Sequence, residues 1–296
     1  MALIPILNIQ QFEAEESTAD FYSNDLRLHL RKNKDLVTIP HRHDFFLCVV
    51  FSEGSGVHEI DFTSYPVRPG SVFFLKPGQT HFWKFNSEPQ GFIFFHTEEF
   101  FEVGFSNAKL RQFPFYYSIE NPPHLQLKSR ELRHILARFR EINAEYHQHF
   151  SYKKERLASL TRLIYIDLTR CYTTFEAHEI VKSTTYLDTL GRLEAAIEKN
   201  YRNEKSAKFY ADQLHITKKH LNRITKSTLN KTTTELISER ILLEAKRLIV
   251  HSNNSLAKIA EILGFEDYAY FSRVFKAKTK TTPLSFRKKY KRKEFS

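Results

Sequence analysis

The chain has 296 residues and a net charge of +11, from 45 Lys/Arg against 34 Asp/Glu. The excess sits in the rear: residues 1–178 sum to −1 (20 basic, 21 acidic) and residues 179–296 to +12 (25 basic, 13 acidic), which suits a neutral sensing domain joined to a polyanion binder. Two cysteines form no disulfide framework, the first 20 residues carry no basic side chain and so resemble no secretory signal, and the longest apolar run, Phe45–Phe51, is too short to cross a bilayer. Secreted and membrane classes drop out, leaving the expectation of a soluble cytoplasmic protein with two domains.

Residues 1–35 are mixed, with a peripheral strand expected at Leu26–Leu30. From Thr38 to Phe101 the texture changes to short apolar and aromatic runs. FFLCVVF (45–51), GVHEIDF (56–62), SVFFLKP (71–77), HFWKF (81–85) and GFIFFH (91–96) read as strands. Turns are expected between them at Gly54-Ser55-Gly56, Pro69-Gly70, Pro77-Gly78 and Glu88-Pro89-Gln90-Gly91. Short strands at this spacing argue for a sandwich or barrel.

Three features of this stretch resemble the cupin family: His41-Arg42-His43, Pro69-Gly70-Ser71 and Pro77-Gly78-Gln79-Thr80-His81. The resemblance implies a β-barrel, and in metal-dependent cupins a site built from the HxH pair, a glutamate four or five residues later and the later histidine. Here Leu47 and Cys48 stand where that glutamate would fall, so no metal is expected. His41, His43, His81 and Trp83 are instead the candidate lining of a small-molecule effector pocket. The many phenylalanines, among them Phe45, Phe46, Phe73, Phe74, Phe82, Phe92, Phe94 and Phe95, either fill the interior or line that pocket. Both cysteines, Cys48 and Cys171, sit among apolar residues and read as buried reduced thiols.

Residues 102–128 form a loop-rich connection with Pro114, Pro122 and Pro123. Two helical stretches follow, 129–149 with Leu132, Ile135, Leu136, Phe139 and Ile142 at helical spacing, and 152–175 with Leu157, Leu160, Leu163, Ile164, Ile166 and Leu168. A polar run, 179–186 at its core, reads as a linker, and Leu187, Leu190, Leu193 and Ile197 open the next helix. The expected domains are therefore 1–128, a helical hairpin 129–178, the linker 179–186 and a rear domain 187–296.

The rear contains one pattern twice. Ser206–Lys226 and Ser255–Lys276 align with Ala211 on Ala260 and Leu214 on Leu263 at an offset of 49, then Leu221 on Phe271, Arg223 on Arg273 and Lys226 on Lys276 at 50. Each copy reads as two short helices about a tight turn, with Ser206 and Ser255 as N-caps and Gly264 or His215 in the left-handed turn position. That is the helix-turn-helix design, whose second helix enters a DNA major groove. Between the copies, Thr233–His251 reads as one long helix.

These motifs resemble the AraC/XylS family of bacterial transcription regulators, most specifically through Ile259-Ala260, Gly264-Phe265, Phe271-Ser272-Arg273-Val274-Phe275-Lys276 and Thr282-Pro283-Leu284-Ser285-Phe286-Arg287. His215 in place of the turn glycine, Lys218-Lys219 in place of a more neutral pair and Thr225 where the family often has phenylalanine suggest a looser or differently set first motif. The resemblance implies an α+β multidomain protein: a cupin-like sensor domain whose histidines often bind no metal, helices after it that mediate dimerisation, and an all-α domain with two helix-turn-helix motifs. The partners it implies are double-stranded DNA, a second copy of the chain and a small-molecule effector.

Arg223 and Arg273 are the best candidates for base contacts, since a guanidinium pairs bidentately with guanine, and Asn222 could pair with adenine. Thr217, Lys219, Tyr268, Ala269 and Ser272 share the same faces, while Lys218, Lys226 and Lys276 suit phosphate, as does the basic tail from Arg287 to Lys293. The rival reading is a metal-dependent cupin enzyme carrying a DNA-binding tail, against which the missing glutamate speaks; a ligand-independent regulator is a third. No catalytic triad, P-loop or dinucleotide fingerprint points to other chemistry, and no cofactor is expected.

Overall fold

A computed structural model describes residues 4–12, 20–34, 39–102, 110, 113–117, 121–175 and 184–294. The chain separates into two compact units, residues 5–181 and 182–296.

The front unit is built on a six-stranded sheet, with a parallel pair, β1 (Ile6–Leu7) and β3 (Arg42–His43), beside it. The sheet contains β2 (Phe21–Asp25), β4 (Phe46–Ile60), β5 (Thr63–Val67), β6 (Ser71–Leu75), β7 (His81–His96) and β8 (His124–Gln126). Its order is β2-β7-β4-β6-β8, with β5 also paired to β4. Two differences from the expected strands matter. Residues 46–51 and 56–60 of the first two runs belong to the single strand β4, and 81–85 and 91–96 to the single strand β7, paired antiparallel along their length through register shifts between Phe51 and Gly56. The glycines expected to make turns there serve close approach and bulging: a Cβ on Gly91 would lie 1.9 Å from the Val50 carbonyl oxygen, and one on Gly56 would lie 2.3 Å from that of Lys84. The hairpin turn falls later, at Asp61 and Phe62, both with positive φ (47° and 71°), and sends the chain into β5.

Leu26–Leu30, expected as a strand, lies in a helix, α1 (Leu26–Lys32). Asp25 caps it by accepting a hydrogen bond from the Leu28 N–H at 3.1 Å, and the buried pair Leu26 and His29 sits at helical spacing while Leu28 faces outward. Alternating leucines over five residues fit either period; the cap decides.

After two short helices, α2 (Glu98–Glu102) and α3 (Pro114–Tyr117), come α4 (Ser129–Tyr146) and α5 (Lys153–Phe175). The first lies on β7, β2 and β4 and the second on α4, α2 and α3. Ile135, Phe139, Ile142, Leu157, Ile164 and Leu168 are buried in this packing. A buried hydrogen-bond chain ties α5 to the sheet: His96 Nε2 to the Tyr165 hydroxyl (2.7 Å), that hydroxyl to Tyr116 (3.1 Å), and Tyr116 to the Leu47 carbonyl (3.3 Å). Cys48 is fully buried, its thiol pushed well up by burial, whereas Cys171 is only half-buried.

The rear unit is helical: α6 (Thr184–Asn200), α7 (Ala207–Gln213), α8 (Lys218–Leu229), α9 (Thr233–His251), α10 (Leu256–Ile262), α11 (Tyr268–Thr279) and α12 (Pro283–Glu294). Residues 179–183 of the expected linker lie outside the described residues, and the last three of that stretch already form the start of α6. The long helix α9 packs on α6, α7 and α8 on one side of the repeat and on α10 and α12 on the other. Among the described residues no helix is long and apolar enough to cross a membrane.

Candidate nucleic-acid interface

The two copies close their turns with the same bonds. The Ile216 N–H reaches the Ala211 carbonyl at 3.0 Å, and the Phe265 N–H reaches that of Ala260 at 3.0 Å. The residue before each is left-handed, His215 at φ 57° and Gly264 at φ 69°. The two turns are therefore set alike, so the looser or differently set first motif that His215, Lys218-Lys219 and Thr225 suggested does not show in the turn itself. Gly264 has an added constraint, because a Cβ there would lie 2.1 Å from the Arg202 carbonyl oxygen. The single inserted residue is Glu266, which precedes the N-cap of α11.

The correspondence runs on past the recognition helices. Asn230 and Lys280, 50 apart, both end them in left-handed conformation, and Thr232 and Thr282 both accept at the start of the next helix. The undersides differ. α11 rests on Phe271 and Phe275, with Phe275 5.5 Å from Phe286, whereas α8 rests on Leu221, Ile224, Thr225 and Thr228. Thr225 is fully buried and bonds back to the Asn222 carbonyl at 3.2 Å.

On the outer faces, Lys218, Lys219, Arg223 and Lys226 of α8 are exposed, as are Tyr268, Ala269, Arg273 and Lys276 of α11, with Ser272 half-buried. Two of the expected contact residues have structural tasks. Thr217 is the N-cap of α8, accepting the His220 N–H at 3.1 Å, as Asp267 caps α11 by accepting from Ala269 and Tyr270. Asn222 is half-buried and its side-chain oxygen accepts the Thr233 N–H at 3.0 Å, so the side chain is engaged in holding the start of α9. Arg287 is likewise engaged, donating to the Ile249 and Asn254 carbonyls at 2.8 Å each, which removes it from the phosphate-binding tail.

Sequence reasoning passed over His220 and Tyr270, which also correspond at an offset of 50. Arg223 donates to His220 Nδ1 at 2.8 Å, and the Arg273 guanidinium lies 6.0 Å from the Tyr270 ring centre. The offset already applied to Arg223 and Arg273 would have found both.

The frame under these helices is held by charge. Arg240 of α9 makes a bidentate bond to Glu198 of α6 (2.6 and 2.8 Å), reaches Glu244 at 3.2 Å and lies 4.1 Å over the Tyr201 ring. Burial pushes the Glu198 carboxyl up, but the Arg240 hydrogen bonds and charge outweigh it and leave its pKa below the ordinary value.

In the front unit the structure brings His41, His43, His81 and Trp83 together and adds a fourth imidazole, His58, opposite Trp83 in the β4–β7 register. His58 Nε2 and His81 Nδ1 share a 2.9 Å hydrogen bond. His43 Nδ1 lies 2.8 Å from the Phe45 carbonyl and His41 Nδ1 2.9 Å from that of Ile39. A carbonyl only accepts, so both rings carry their proton on Nδ1 and keep a lone pair on Nε2. Burial lowers the pKa of all four, that of His43 to about 3, so the cluster is uncharged at neutral pH. His43 Nε2, His58 Nδ1, His81 Nε2 and Trp83 Nε1 are buried without a hydrogen-bond partner among the described residues.

Among the described residues no group of three His, Cys, Asp or Glu side chains is arranged to hold a metal ion. The phenylalanines pack as core, with Phe74 stacked on Phe115 at 3.9 Å and Phe45 on Phe95 at 4.4 Å. A surface cleft of about 500 Å³ lies elsewhere, lined by Asn8, Asp44, Phe46, Pro77, Thr97 and neighbours, and shares no residue with the histidine cluster.

Two family models match the chain: a helix-turn-helix domain over residues 210–289 and an AraC-like ligand binding domain over residues 24–160. The chain is similar to the HTH-type transcriptional regulator YfiF of Bacillus subtilis (strain 168), 25% identical over 258 residues, covering 86% of this chain and 80% of that protein. It is similar to the HTH-type transcriptional activator RhaR of Escherichia coli (strain K12), 23% identical over 254 residues, 85% of this chain and 87% of that one. Among solved structures, ToxT from Vibrio cholerae matches 90% of this chain and 98% of its own, at 15% identity and a TM-score of 0.43.

Proposed function

Because the chain belongs to the AraC family of transcriptional regulators, we propose that it acts in the cytoplasm as a homodimer, each protomer setting α8 and α11 into successive major grooves of one DNA face. The observation that carries this reading is the repeat itself: two equally capped helices, 50 residues apart, each with an exposed arginine at the same position. The helix between them, α9, has 19 residues. At about 1.5 Å per residue it spans about 28 Å, near the roughly 34 Å turn of the duplex. Arg223 and Arg273 read guanine; Tyr268, Ala269 and Ser272 add polar or thymine-methyl contacts; Lys218, Lys219, Lys226 and Lys276 hold phosphate and set register.

The front unit supplies effector sensing and dimerisation. Burying a polar nitrogen without a partner costs about 1–3 kcal/mol, and four such atoms belong to the neighbouring rings of His43, His58, His81 and Trp83. A small molecule able to donate to His43 Nε2 and to accept from Trp83 Nε1 satisfies two of them, and the hydrogen-bonded His58–His81 pair offers it one further N–H and one further lone pair. The outward faces of α4 and α5, where Leu163 is exposed, join the protomers.

The test is selection of bound duplexes from a genomic fragment pool with the full chain, at a stated salt concentration because phosphate affinity depends on it. The expected product is a motif in two parts about one helical turn apart. Tight binding with no enriched motif would reduce the basic half to a nonspecific anchor.

A further inference from the structure

Each recognition helix carries the same three-part stack. In the first motif the Tyr186 ring of α6 stands edge-on to His220 with centroids 6.2 Å apart, and His220 Nδ1 accepts from the Arg223 guanidinium at 2.8 Å. In the second, Phe265 of the turn lies 6.1 Å from Tyr270, and Arg273 sits 6.0 Å from the Tyr270 ring. The backing ring comes from a different element in each copy, yet the middle ring and the arginine keep the same three-residue spacing. One helical face places residues i and i+3 side by side, so the spacing is what makes the contact possible.

We infer that His220 and Tyr270 are specificity-determining positioning residues, each holding the arginine three residues on in the orientation that reads a base. This rests on the base-reading role of α8 and α11 proposed above. A free arginine carries several rotatable bonds whose freedom is lost on docking; a guanidinium already held by a neighbour loses less, and only toward one base geometry. The two supports are unequal. A hydrogen bond to an imidazole nitrogen fixes direction, and with Nδ1 accepting, the His220 ring carries its proton on Nε2, where it can donate outward. The Tyr270 face at 6.0 Å sits at the outer limit of a cation–π contact and holds Arg273 in place without fixing its plane. Arg223 is therefore the more discriminating reader and Arg273 the more permissive.

The experiment uses the full chain on a duplex recovered by selection from a random-sequence pool and on all its single-base variants. Wild type is compared with R223A, H220A, H220Q and the R223A/H220A double variant, with the salt dependence of each. R223A is expected to flatten preference at one position by roughly 5- to 150-fold. H220A is expected to flatten the same position by about 3- to 10-fold with an unchanged salt slope, the double variant to match R223A, and H220Q, which keeps a side-chain acceptor, to recover most of the preference. If R223A leaves every position unchanged, the base-reading role itself falls. If R223A flattens a position that H220A does not, or if H220A weakens all sequences equally and lowers the salt slope, the pairing falls and His220 is a phosphate contact.

Discussion

Around Trp83 the front unit buries four imidazoles that burial keeps uncharged, with four of the cluster's nitrogens unpartnered. Around Glu244 the rear unit buries a carboxylate between arginines, with Arg240 at 3.2 Å, Arg247 at 3.4 Å and Arg202 at 3.9 Å. Both are polar clusters in closed interiors, and they are built for different ends. The ionic cluster is satisfied from within, so it fixes α6 against α9 and with them the spacing of the two recognition helices. Among the described residues the imidazole cluster is satisfied only in part, and that is the feature on which the proposed effector site rests.

Acid should separate the two most sharply. His29 and His43 are lowered to about 3 and His96 and His124 to about 4, all chiefly by burial, and His41, His58 and His81 are lowered as well. Each of these groups binds its proton near pH 6.5 in the unfolded chain and at lower pH in the folded unit. Their contribution to stability is whole above pH 6.5 and is progressively lost as pH falls below it, because the unfolded chain then binds protons that the folded unit does not. Glu198 in the rear has a lowered carboxyl pKa, so its contribution is whole above the ordinary value of 4.5 and is lost only below it. Trp83 is the single tryptophan and reports on the front alone. Its fluorescence is expected to change between pH 6.5 and 4.5, ahead of the loss of helical circular dichroism. Coincident transitions below pH 4.5 would show that the front is not the acid-labile unit.

Mutation probes the same contrast at smaller scale. Glu244→Ala leaves Arg247, itself 3% exposed, facing a removed charge, and is expected to cost about 3–5 kcal/mol in chemical denaturation of the rear unit. A loss under 1 kcal/mol would mean the arginines re-pair and the cluster is not the frame's lock. In the front, the satisfied chain from His96 through Tyr165 to Tyr116 behaves like the rear's network rather than like the Trp83 cluster. Tyr165→Phe strands His96 Nε2 and is expected to cost about 1–3 kcal/mol, read as a shift of the thermal midpoint.

How far the sequence discloses these features depends on whether they are local. The offset between Ala211 and Ala260, the two serine caps and the full span of Thr233–His251 were all legible, because caps and helical period are written in contiguous residues. The strands were legible as apolar runs, but their joining into β4 and β7 was not, since Gly54 and Gly91 signal a turn and a bulge alike. Leu26–Leu30 misled because five residues cannot distinguish two periods. Thr217 and Asn222 were assigned outward by their place on the helix, and only the partners supplied by folding, the His220 and Thr233 N–H groups, show their structural tasks. His58 carries no motif; it joins the cluster through cross-strand register with Trp83, a long-range fact. The residues named from the HxH pattern do come together, whereas their unpartnered nitrogens are visible only in the folded sheet.

The smallest expected effect is also the sharpest test of the contrast. Trp83→Phe keeps an aromatic ring against His58 and His81, whose centroids lie 4.9 and 5.1 Å from the indole, and removes an N–H that has no hydrogen-bond partner among the described residues. The cost should be the lost volume alone, about 1 kcal/mol or less once the stranded N–H is credited against it. A comparable deletion inside a satisfied network would strand its partner and cost more, as Tyr165→Phe does. Thermal midpoints of the two variants in the same buffer therefore measure whether the Trp83 cluster is empty of partners in the unliganded protein. A Trp83→Phe loss as large as that of Tyr165→Phe would mean that Nε1 already holds an ordered partner, and that both units bury their polar groups in the same satisfied way.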